Sequence, residues 1–315
     1  MSLERALELA ERGRGTTHPN PVVGCVLLRG DKVVGEAWHE VTGGAHAEVL
    51  ALREAGDRAR GATAYVTMEP CAHHGHTPPC ADALIEAGVV AVLAGCLDPH
   101  PDHGGGLERL RAAGVQVAVA DGELGFECRA QNEEWRTWVS LGRPFVTLKL
   151  AVTLDGRVTV PGARWVTGEA ARRRVHELRA QVDAVAVGMG TVRADDPQLT
   201  ARDVPAKRQP RRLAFGRSRL PAGSELELRD GELADELRAL AGEGVQSFLL
   251  EGGPTIAAAF LREELVDKLL LFLAPKLAGA GAGFLPELAA PRDLTRLRAE
   301  PVGDDVLLTA YVHEP

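Results

Sequence analysis

The sequence predicts two consecutive α/β domains, and three observations carry that prediction. A chain of 315 residues exceeds the size at which one hydrophobic core usually keeps growing. Up to Leu141, short β-rich runs alternate with segments of helical period, a succession that packs helices onto the faces of a sheet. The same alternation begins again after "LGRP", where Pro144 disfavours helix in the residue before it. The expected domains therefore span residues 1–141 and 145–315.

The first half opens with "MSLERALELAERGRG", an amphipathic helix. "VVGCVLLRG" and "KVVGEAWHE" are β-rich and meet at Gly-Asp, which predicts a hairpin. "HAEVLALREAG" has helical spacing and stops at Gly56. Strand "ATAYVTM", a loop, helix "CADALIEAG", strand "VVAVLAG" and the helix–strand pair "LERLRAAGVQVAVA" follow. A helix from about Glu123 to Ser140 closes the domain. In the second half "FVTLKLAVTLDGR" reads as a strand entering an Asp-Gly turn. "TGEAARRRVHELRAQ" reads as a helix with Thr167 as its N-cap, before strand "DAVAVG". Residues 201–230, rich in Arg, Pro and Gly, are expected to be mostly loop around the strand "RRLAF". "SFLLEGGPTIAAAFLREEL" reads as strand, Gly-Gly turn and helix, and "DKLLLFLAPKL" and "DVLLTAYVH" as strands.

Composition narrows the function. With 45% hydrophobic and 25% charged residues the chain has the make-up of a globular protein. No apolar run reaches the roughly 18–20 residues of a membrane span, so a cytoplasmic location without a membrane partner is expected. A net charge of −8 opposes a nucleic-acid partner, whose binding depends on neutralising phosphates with Lys and Arg; a small molecule fits better. A homo-oligomer is compatible with the sequence. Five cysteines without a signal segment favour metal or thiol chemistry over disulfides, and Cys25, Cys96 and Cys128, in or near apolar stretches, read as buried small hydrophobes.

The remaining two cysteines fall in "MEPCAHHGHTPPC", residues 68–80. Upstream, "HAE" opens a predicted helix. His46, Cys71 and Cys80 together offer one imidazole and two thiolates, a donor set that suits Zn²⁺. Structural zinc sites close with four protein ligands, whereas three leave a position for water and favour catalysis. Glu48, two residues from His46, is placed to move protons without binding the metal. Zinc deaminases carry this pattern, H-x-E followed by P-C-x-x-C, with the glutamate as general acid/base. Eight residues separate Cys71 from Cys80 here, where that pattern has two. Gly75, Pro78 and Pro79 make the insertion an ordered excursion delivering Cys80 to a helix N-terminus, where thiolate is favoured. The chemistry expected is hydrolytic loss of ammonia from an amino-substituted heterocycle, since zinc lowers the pKa of water toward about 7.

"EPCAHHGHTPPC", "HPNPVVGCVL" and "GGAHAEVLAL" together resemble the bifunctional riboflavin-biosynthesis deaminase/reductase family. The likeness extends through "KLAVTLDGR", "RWVTGEAAR", "VGMGTVRADDPQLTAR" and "EGGPT", similar to that family's reductase half. The resemblance implies an N-terminal cytidine-deaminase-like α/β/α domain and a C-terminal dihydrofolate-reductase-like α/β domain. It implies Zn²⁺ and NADPH as cofactors, and deamination of a phosphorylated diaminopyrimidinone followed by reduction of its ribose to a ribityl chain. His46, Cys71 and Cys80 match the zinc ligands and Glu48 the catalytic proton shuttle. Asn20, His39, His73 and His76 match substrate positions of the deaminase, and Lys149, Arg179, Leu199, Arg202 and Glu251 those of the reductase. Val152, Trp165, Thr191, Asp195 and the stretch Gly253, Pro254, Thr255 match positions around NADPH. Against the family's usual pattern, Ala72 replaces a serine and Ala163 another, His76 replaces a permanent cation, and Gly216–Arg217 replaces an Asp-Ser-like pair.

On the residues alone, "LLEGGPT" places backbone N–H groups and a helix N-terminus toward an anion. "VGMGTVR" lacks the third glycine of a dinucleotide fingerprint and is not a Rossmann motif. "ARRRVHELRAQ" also reads as a solvated basic helix face. Three alternatives stand beside the main reading: a deaminase with a non-catalytic second domain, a nucleic-acid-editing deaminase, and a zinc-stabilised module without activity.

Overall fold

The computed structural model describes residues 2–73, 78–286, 288 and 290–315. It divides into two compact units, Met1–Leu141 with Pro315, and Gly142–Glu314. Among the described residues no helix is long and apolar enough to cross a membrane.

The first unit is a three-layer α/β/α sandwich. Its sheet holds β1 (Gly24–Arg29), β2 (Lys32–Trp38), β3 (Thr63–Val66), β4 (Ala91–Ala94) and β5 (Gln116–Val119) in the order β2-β1-β3-β4-β5. β1 pairs antiparallel with β2 and β3, while β3, β4 and β5 run parallel. Alternation along the strands sends Leu27, Ala64, Val66 and Val92 into one core, shared with α2 (Ala47–Ala55), α3 (Cys80–Glu86) and α4 (Gly106–Ala112). Val26, Met68 and Cys96 enter the other, with α1 (Ser2–Glu11), α5 (Gly122–Ala130) and α6 (Glu133–Leu141). Gly24 lets α1 lie directly on β1, for a Cβ there would stand 2.0 Å from the Ala6 carbonyl oxygen. Cys25, Cys96 and Cys128 are buried and unpaired, as small apolar side chains should be.

The single helix expected from about Glu123 to Ser140 is instead two, broken at Gln131–Asn132. The cause is tertiary. Asn132 Nδ2 donates to the Val22 carbonyl and Asn132 Oδ1 accepts from the Val22 N–H, both at 2.8 Å, and Gln131 Nε2 donates to the Leu7 carbonyl at 2.8 Å. The Asn132 bonds hold the chain entering β1 and the Gln131 bond holds α1, and the helix pattern yields to them.

The second unit is built on an eight-stranded sheet of order β12-β13-β11-β6-β10-β7-β8-β9. β6 (Phe145–Thr153), β7 (Ala184–Gly188), β8 (Arg211–Phe215), β9 (Glu227–Arg229), β10 (Ser247–Leu250) and β11 (Lys268–Ala274) run parallel; β12 (Thr295–Val302) and β13 (Asp305–Tyr311) add an antiparallel edge. Helices α7 (Glu169–Gln181), α8 (Met189–Asp195), α9 (Leu233–Gly242) and α10 (Pro254–Arg262) cover it. The α7 N-cap is Gly168, not Thr167: Gly168 is extended and its N–H donates to Asp305 Oδ2 at 2.8 Å. The carboxylate on β13 thus fixes the residue that enters the helix, while no side chain caps its first N–H groups.

Two buried aspartates staple the amino ends of the parallel strands. Asp267, just before β11, accepts two bonds of 2.7 Å from Arg143 and one of 2.8 Å from the Val146 N–H, locking the start of β6. Asp183, just before β7, accepts from the N–H groups of Gln246 and Ser247 and from Ser247 Oγ, locking the start of β10. At the carboxyl ends, where open α/β sheets bind ligands, the half-buried Asp155 past β6 accepts the N–H groups of Ala278 and Gly279 past β11 at 2.9 and 2.8 Å. Replacing Asp267 by Ala leaves the Arg143 charge and the Val146 N–H without their partner. We expect a loss of about 3–5 kcal/mol in the second unit's stability, read as a lower midpoint of its transition in chemical denaturation.

Candidate functional site

Three separate segments bring the metal-type donors of the first unit together. His46 is the extended residue immediately before α2, Cys71 follows β3, and Cys80 is the first residue of α3. Cys80 N–H donates to Cys71 Sγ at 3.3 Å and Ala81 N–H to the Cys71 carbonyl at 3.2 Å, so the two cysteines are tied backbone to side chain. His46 Nδ1 lies 3.2 Å from Cys80 Sγ and 3.7 Å from Cys71 Sγ, and the three donor atoms all fall within 4.8 Å of one another. A tetrahedral zinc with bonds of about 2.0–2.3 Å sets its ligand atoms roughly 3.5–3.8 Å apart, so the donor set fits that ion.

The protonation pattern agrees. Hydrogen bonds from Cys80 and from His46 hold the Cys71 thiol well below the ordinary thiol range, against the effect of burial. That same bond and burial push Cys80 up, and the bond to Cys71 raises His46. One thiolate is therefore stable between the two sulfurs; a divalent cation would remove the second proton as well.

Glu48, in the first turn of α2, is only 3% exposed. Burial raises its carboxyl above the ordinary range and the Cys71 thiolate adds to this, with His46 opposing. It lies beside the donor set without being one of its three members. His39 stands edge-on to His46 with ring centroids 5.6 Å apart; its Nδ1 pairs with the Ala45 carbonyl at 3.1 Å and its Nε2 is buried with no protein partner. His73 Nδ1 is likewise buried without a partner. Asn20 is more peripheral, exposed, and donates to Thr42 Oγ1 at 3.2 Å. His76 lies outside the described residues.

Sequence reasoning passed over Glu69, His100 and His103. Glu69 directly precedes Pro70–Cys71 and its carboxylate accepts the N–H groups of Asp98, Gly105 and Leu107 at 3.2, 3.1 and 3.1 Å. Gly106 touches the same segment so closely that a Cβ would sit 1.7 Å from the Pro70 carbonyl oxygen. The loop so anchored carries His100 and His103; His103 stacks between His100, at a centroid separation of 3.7 Å, and His73, at 3.9 Å. A carboxylate at the end of an apolar strand was the available signal for Glu69; the histidines gave none.

In the second unit a buried charge cluster sits past the middle of the sheet. Glu251, at the carboxyl end of β10, accepts from Arg179 Nε and Nη2 at 2.6 and 2.9 Å and lies 3.7 Å from Lys149 Nζ on β6. Burial works against the Glu251 carboxylate, yet Lys149 and Arg179 outweigh it and keep the group below its usual range. Burial pulls the Lys149 ammonium down, with Arg179 adding and Glu251 opposing. Arg179 Nη1 also donates to the Thr200 carbonyl at 3.2 Å, which brings in the segment of Leu199, buried at φ +55°, and Arg202. Val152 is buried near the end of β6. Thr191 on α8 faces the Gly253 turn, its Oγ1 3.5 Å from where a Gly253 Cβ would lie, and Pro254 and Thr255 open α10. Trp165 is 52% exposed, with Arg164 and Arg172 over its ring at 4.9 and 5.4 Å. Asp195 ends α8 and is exposed.

Comparison with known proteins fits both halves. Residues 2–96 match the cytidine and deoxycytidylate deaminase zinc-binding region, and residues 144–308 match the RibD C-terminal domain. The Escherichia coli riboflavin biosynthesis protein RibD is 39% identical, over 97% of each chain. The chain belongs to the RibD family. A solved Acinetobacter baumannii RibD superposes with a TM-score of 0.84 at 35% identity, covering 98% of this chain and 97% of that one. A Thermotoga maritima diaminohydroxyphosphoribosylaminopyrimidine deaminase/5-amino-6-(5-phosphoribosylamino)uracil reductase gives 0.82 at 34% identity, with the same coverage. The expected pairing of a cytidine-deaminase-like domain with a reductase domain is thus borne out. Like its relatives, this RibD chain is a bifunctional enzyme of riboflavin biosynthesis, a zinc-binding deaminase joined to an NADPH-dependent reductase. A second domain without catalysis, the alternative weighed from sequence, is disfavoured.

Partners of metal-binding segments usually matter about 10- to 100-fold for metal affinity. Replacing Glu69 by Ala should weaken zinc binding by that order, because three N–H groups of the loop behind Cys71 lose their acceptor. Competition against a chromophoric chelator measures it.

Proposed function

We propose that the first unit, residues 1–141, hydrolyses the exocyclic C–N bond of 2,5-diamino-6-(5-phosphoribosylamino)pyrimidin-4(3H)-one. The second, residues 145–315, then reduces the ribose of 5-amino-6-(5-phosphoribosylamino)uracil to a ribityl chain with NADPH. The observation that carries this is a buried carboxylate, Glu48, beside an imidazole–thiolate–thiol donor set that needs no fourth protein ligand. The reaction named for the Thermotoga maritima relative supports the choice of substrate.

In this reading His46, Cys71 and Cys80 hold zinc, which supplies a Lewis acid that acidifies water toward a pKa of about 7. Glu48 would carry one proton of the attacking water to the ring nitrogen and then the second, from the resulting hydroxyl, to the departing amine, which leaves as ammonia as the carbonyl forms. Its carboxyl, raised by burial above the ordinary carboxylate range, is better suited to both accepting and releasing a proton than an exposed glutamate. The unpartnered Nε2 of His39 and Nδ1 of His73 are positioned to bond the pyrimidine, with Asn20 and His76 completing the substrate side.

In the reductase Lys149, Arg179, Leu199, Arg202 and Glu251 receive the phosphoribosyl group. Two buried cations against one carboxylate favour a phosphorylated, anionic substrate. Val152, Trp165, Thr191, Asp195, Gly253, Pro254 and Thr255 receive NADPH, which carries the hydride while the protein aligns it with the sugar carbon. The enzyme acts in the cytosol.

Two measurements test this. Glu48→Gln should retain stoichiometric zinc and lose about 10²- to 10⁴-fold in ammonia release; full deamination by the zinc-loaded variant would remove Glu48 from the mechanism. Wild-type enzyme should oxidise NADPH in the presence of the deaminated intermediate, and no oxidation would remove the reductase assignment.

A further inference from the structure

His176 lies on α7, three residues before Arg179, and neither the sequence motifs nor the reading above gives it a task. Its Nδ1 sits between two backbone groups of one short segment: 3.1 Å from the Thr200 carbonyl oxygen and 3.3 Å from the Arg202 nitrogen. The segment is otherwise pinned by groups that do not titrate near neutral pH. Arg179 Nη1 donates to the Thr200 carbonyl at 3.2 Å. Gln209 brackets Ala201, accepting its N–H at 2.8 Å and donating to its carbonyl at 3.0 Å. Arg202 Nη1 donates to Gln198 Oε1 at 2.9 Å. Within the segment Leu199 holds a φ of +55°, a conformation that a branched side chain keeps only when its neighbours fix it.

One ring nitrogen cannot serve both backbone groups at once. Unprotonated, Nδ1 offers a lone pair to the Arg202 N–H; protonated, it can only donate, and the Thr200 carbonyl is the acceptor in reach. We propose that His176 is a positioning residue for the reductase substrate: in its neutral form, with the ring proton on Nε2, it fixes the Leu199–Arg202 segment through the Arg202 N–H, and protonation of Nδ1 releases that bond. The inference rests on the reading that Leu199 and Arg202 lie on the substrate side.

The groups facing the imidazole are Arg179 from its own helix, Arg202 from the segment and Glu251 from the end of β10. Burial is the strongest influence and lowers the imidazole's pKa, the two arginines add to it, and the Thr200 carbonyl and Glu251 oppose. His176 is thus neutral at pH 7 and gains its proton only below the usual histidine range. The hydroxyl of Thr200 is buried without a partner between these groups, a further polar atom that the ordered segment holds ready.

The test uses the full zinc-loaded chain and follows NADPH oxidation with 5-amino-6-(5-phosphoribosylamino)uracil from pH 5 to 8. Wild type is compared with His176→Asn, whose amide oxygen accepts the Arg202 N–H without titrating, and with His176→Leu, which cannot accept it. Losing one neutral hydrogen bond corresponds to about fivefold. His176→Leu should therefore raise KM for the aminouracil about fivefold at pH 7 with kcat little changed, while His176→Asn stays near wild type. As pH falls toward 5 the wild-type KM should climb relative to His176→Asn, by up to about fivefold when the imidazole is fully protonated. The substrate phosphate titrates near pH 6 in all three enzymes, so this ratio isolates the imidazole. The midpoint of the second unit's chemical-denaturation transition reports its intact folding; should His176→Leu lose that fold, the comparison with His176→Asn decides alone. Superimposable pH profiles of wild type and His176→Asn, or a fall in kcat at constant KM, would overturn the inference while leaving the reductase assignment standing. No oxidation by wild type would instead overturn that assignment, and this inference with it.

Discussion

The first unit is organised around a charge problem: His46, Cys71 and Cys80 crowd two sulfurs and an imidazole into a space where only one thiolate is tolerated without a cation. Such a cluster does not hold itself together, so the surrounding backbone must. The Cys80 N–H bonds the Cys71 sulfur, Glu69 ties the residue before Pro70 to the 98–107 loop, and Gly106 brings α4 against the Pro70 carbonyl. Each contact fixes a main-chain segment, and the donors then have little freedom left to lose when a cation binds. The same enclosure shuts Glu48 away from water and raises its carboxyl, so affinity for the ion and basicity of the neighbouring carboxylate come from one packing arrangement.

How much of this was legible in the sequence depended on whether the residues involved are neighbours in the chain. His46-x-Glu48 and the paired cysteines stood out because soft donors are scarce and their spacing is set by one helix start and one loop. The eight-residue interval between the cysteines was legible as an excursion from Gly75, Pro78 and Pro79, and the family resemblance supplied its meaning. In the reductase, Lys149, Arg179, Thr200 and Glu251 come from a strand, a helix, a loop and another strand end, and no local period announces such a meeting. "ARRRVHELRAQ" shows the difficulty: Arg173 and Arg174 do form an exposed basic face paired with Glu177, while Arg179 turns inward to Glu251. Composition cannot separate the two.

Element boundaries failed where a distant side chain competed with local propensity. Asn132 interrupts a helical pattern because both polar groups of its amide are claimed by Val22, and Gly168 caps α7 because Asp305 reaches it from another strand. In each case the local signal was sound on its own terms. A buried hydrogen bond to a fixed partner outweighs a propensity difference of a few tenths of a kcal/mol per residue.

Buried carboxylates in the second unit illustrate how partners, not burial, separate scaffold from function. Asp183 and Asp267 lie at the amino ends of strands, accept backbone N–H groups and meet one arginine each, so their charge is matched and their bonds are used up in holding strands together. Glu251 lies at the opposite end, accepts from side chains alone, and faces both Lys149 and Arg179. One negative charge between two buried positive ones leaves an excess of one. Low-dielectric surroundings make that excess costly unless a further anion shares it. The fold therefore sets its neutralised charges where the sheet needs strength and its unbalanced charge where open α/β sheets meet their ligands.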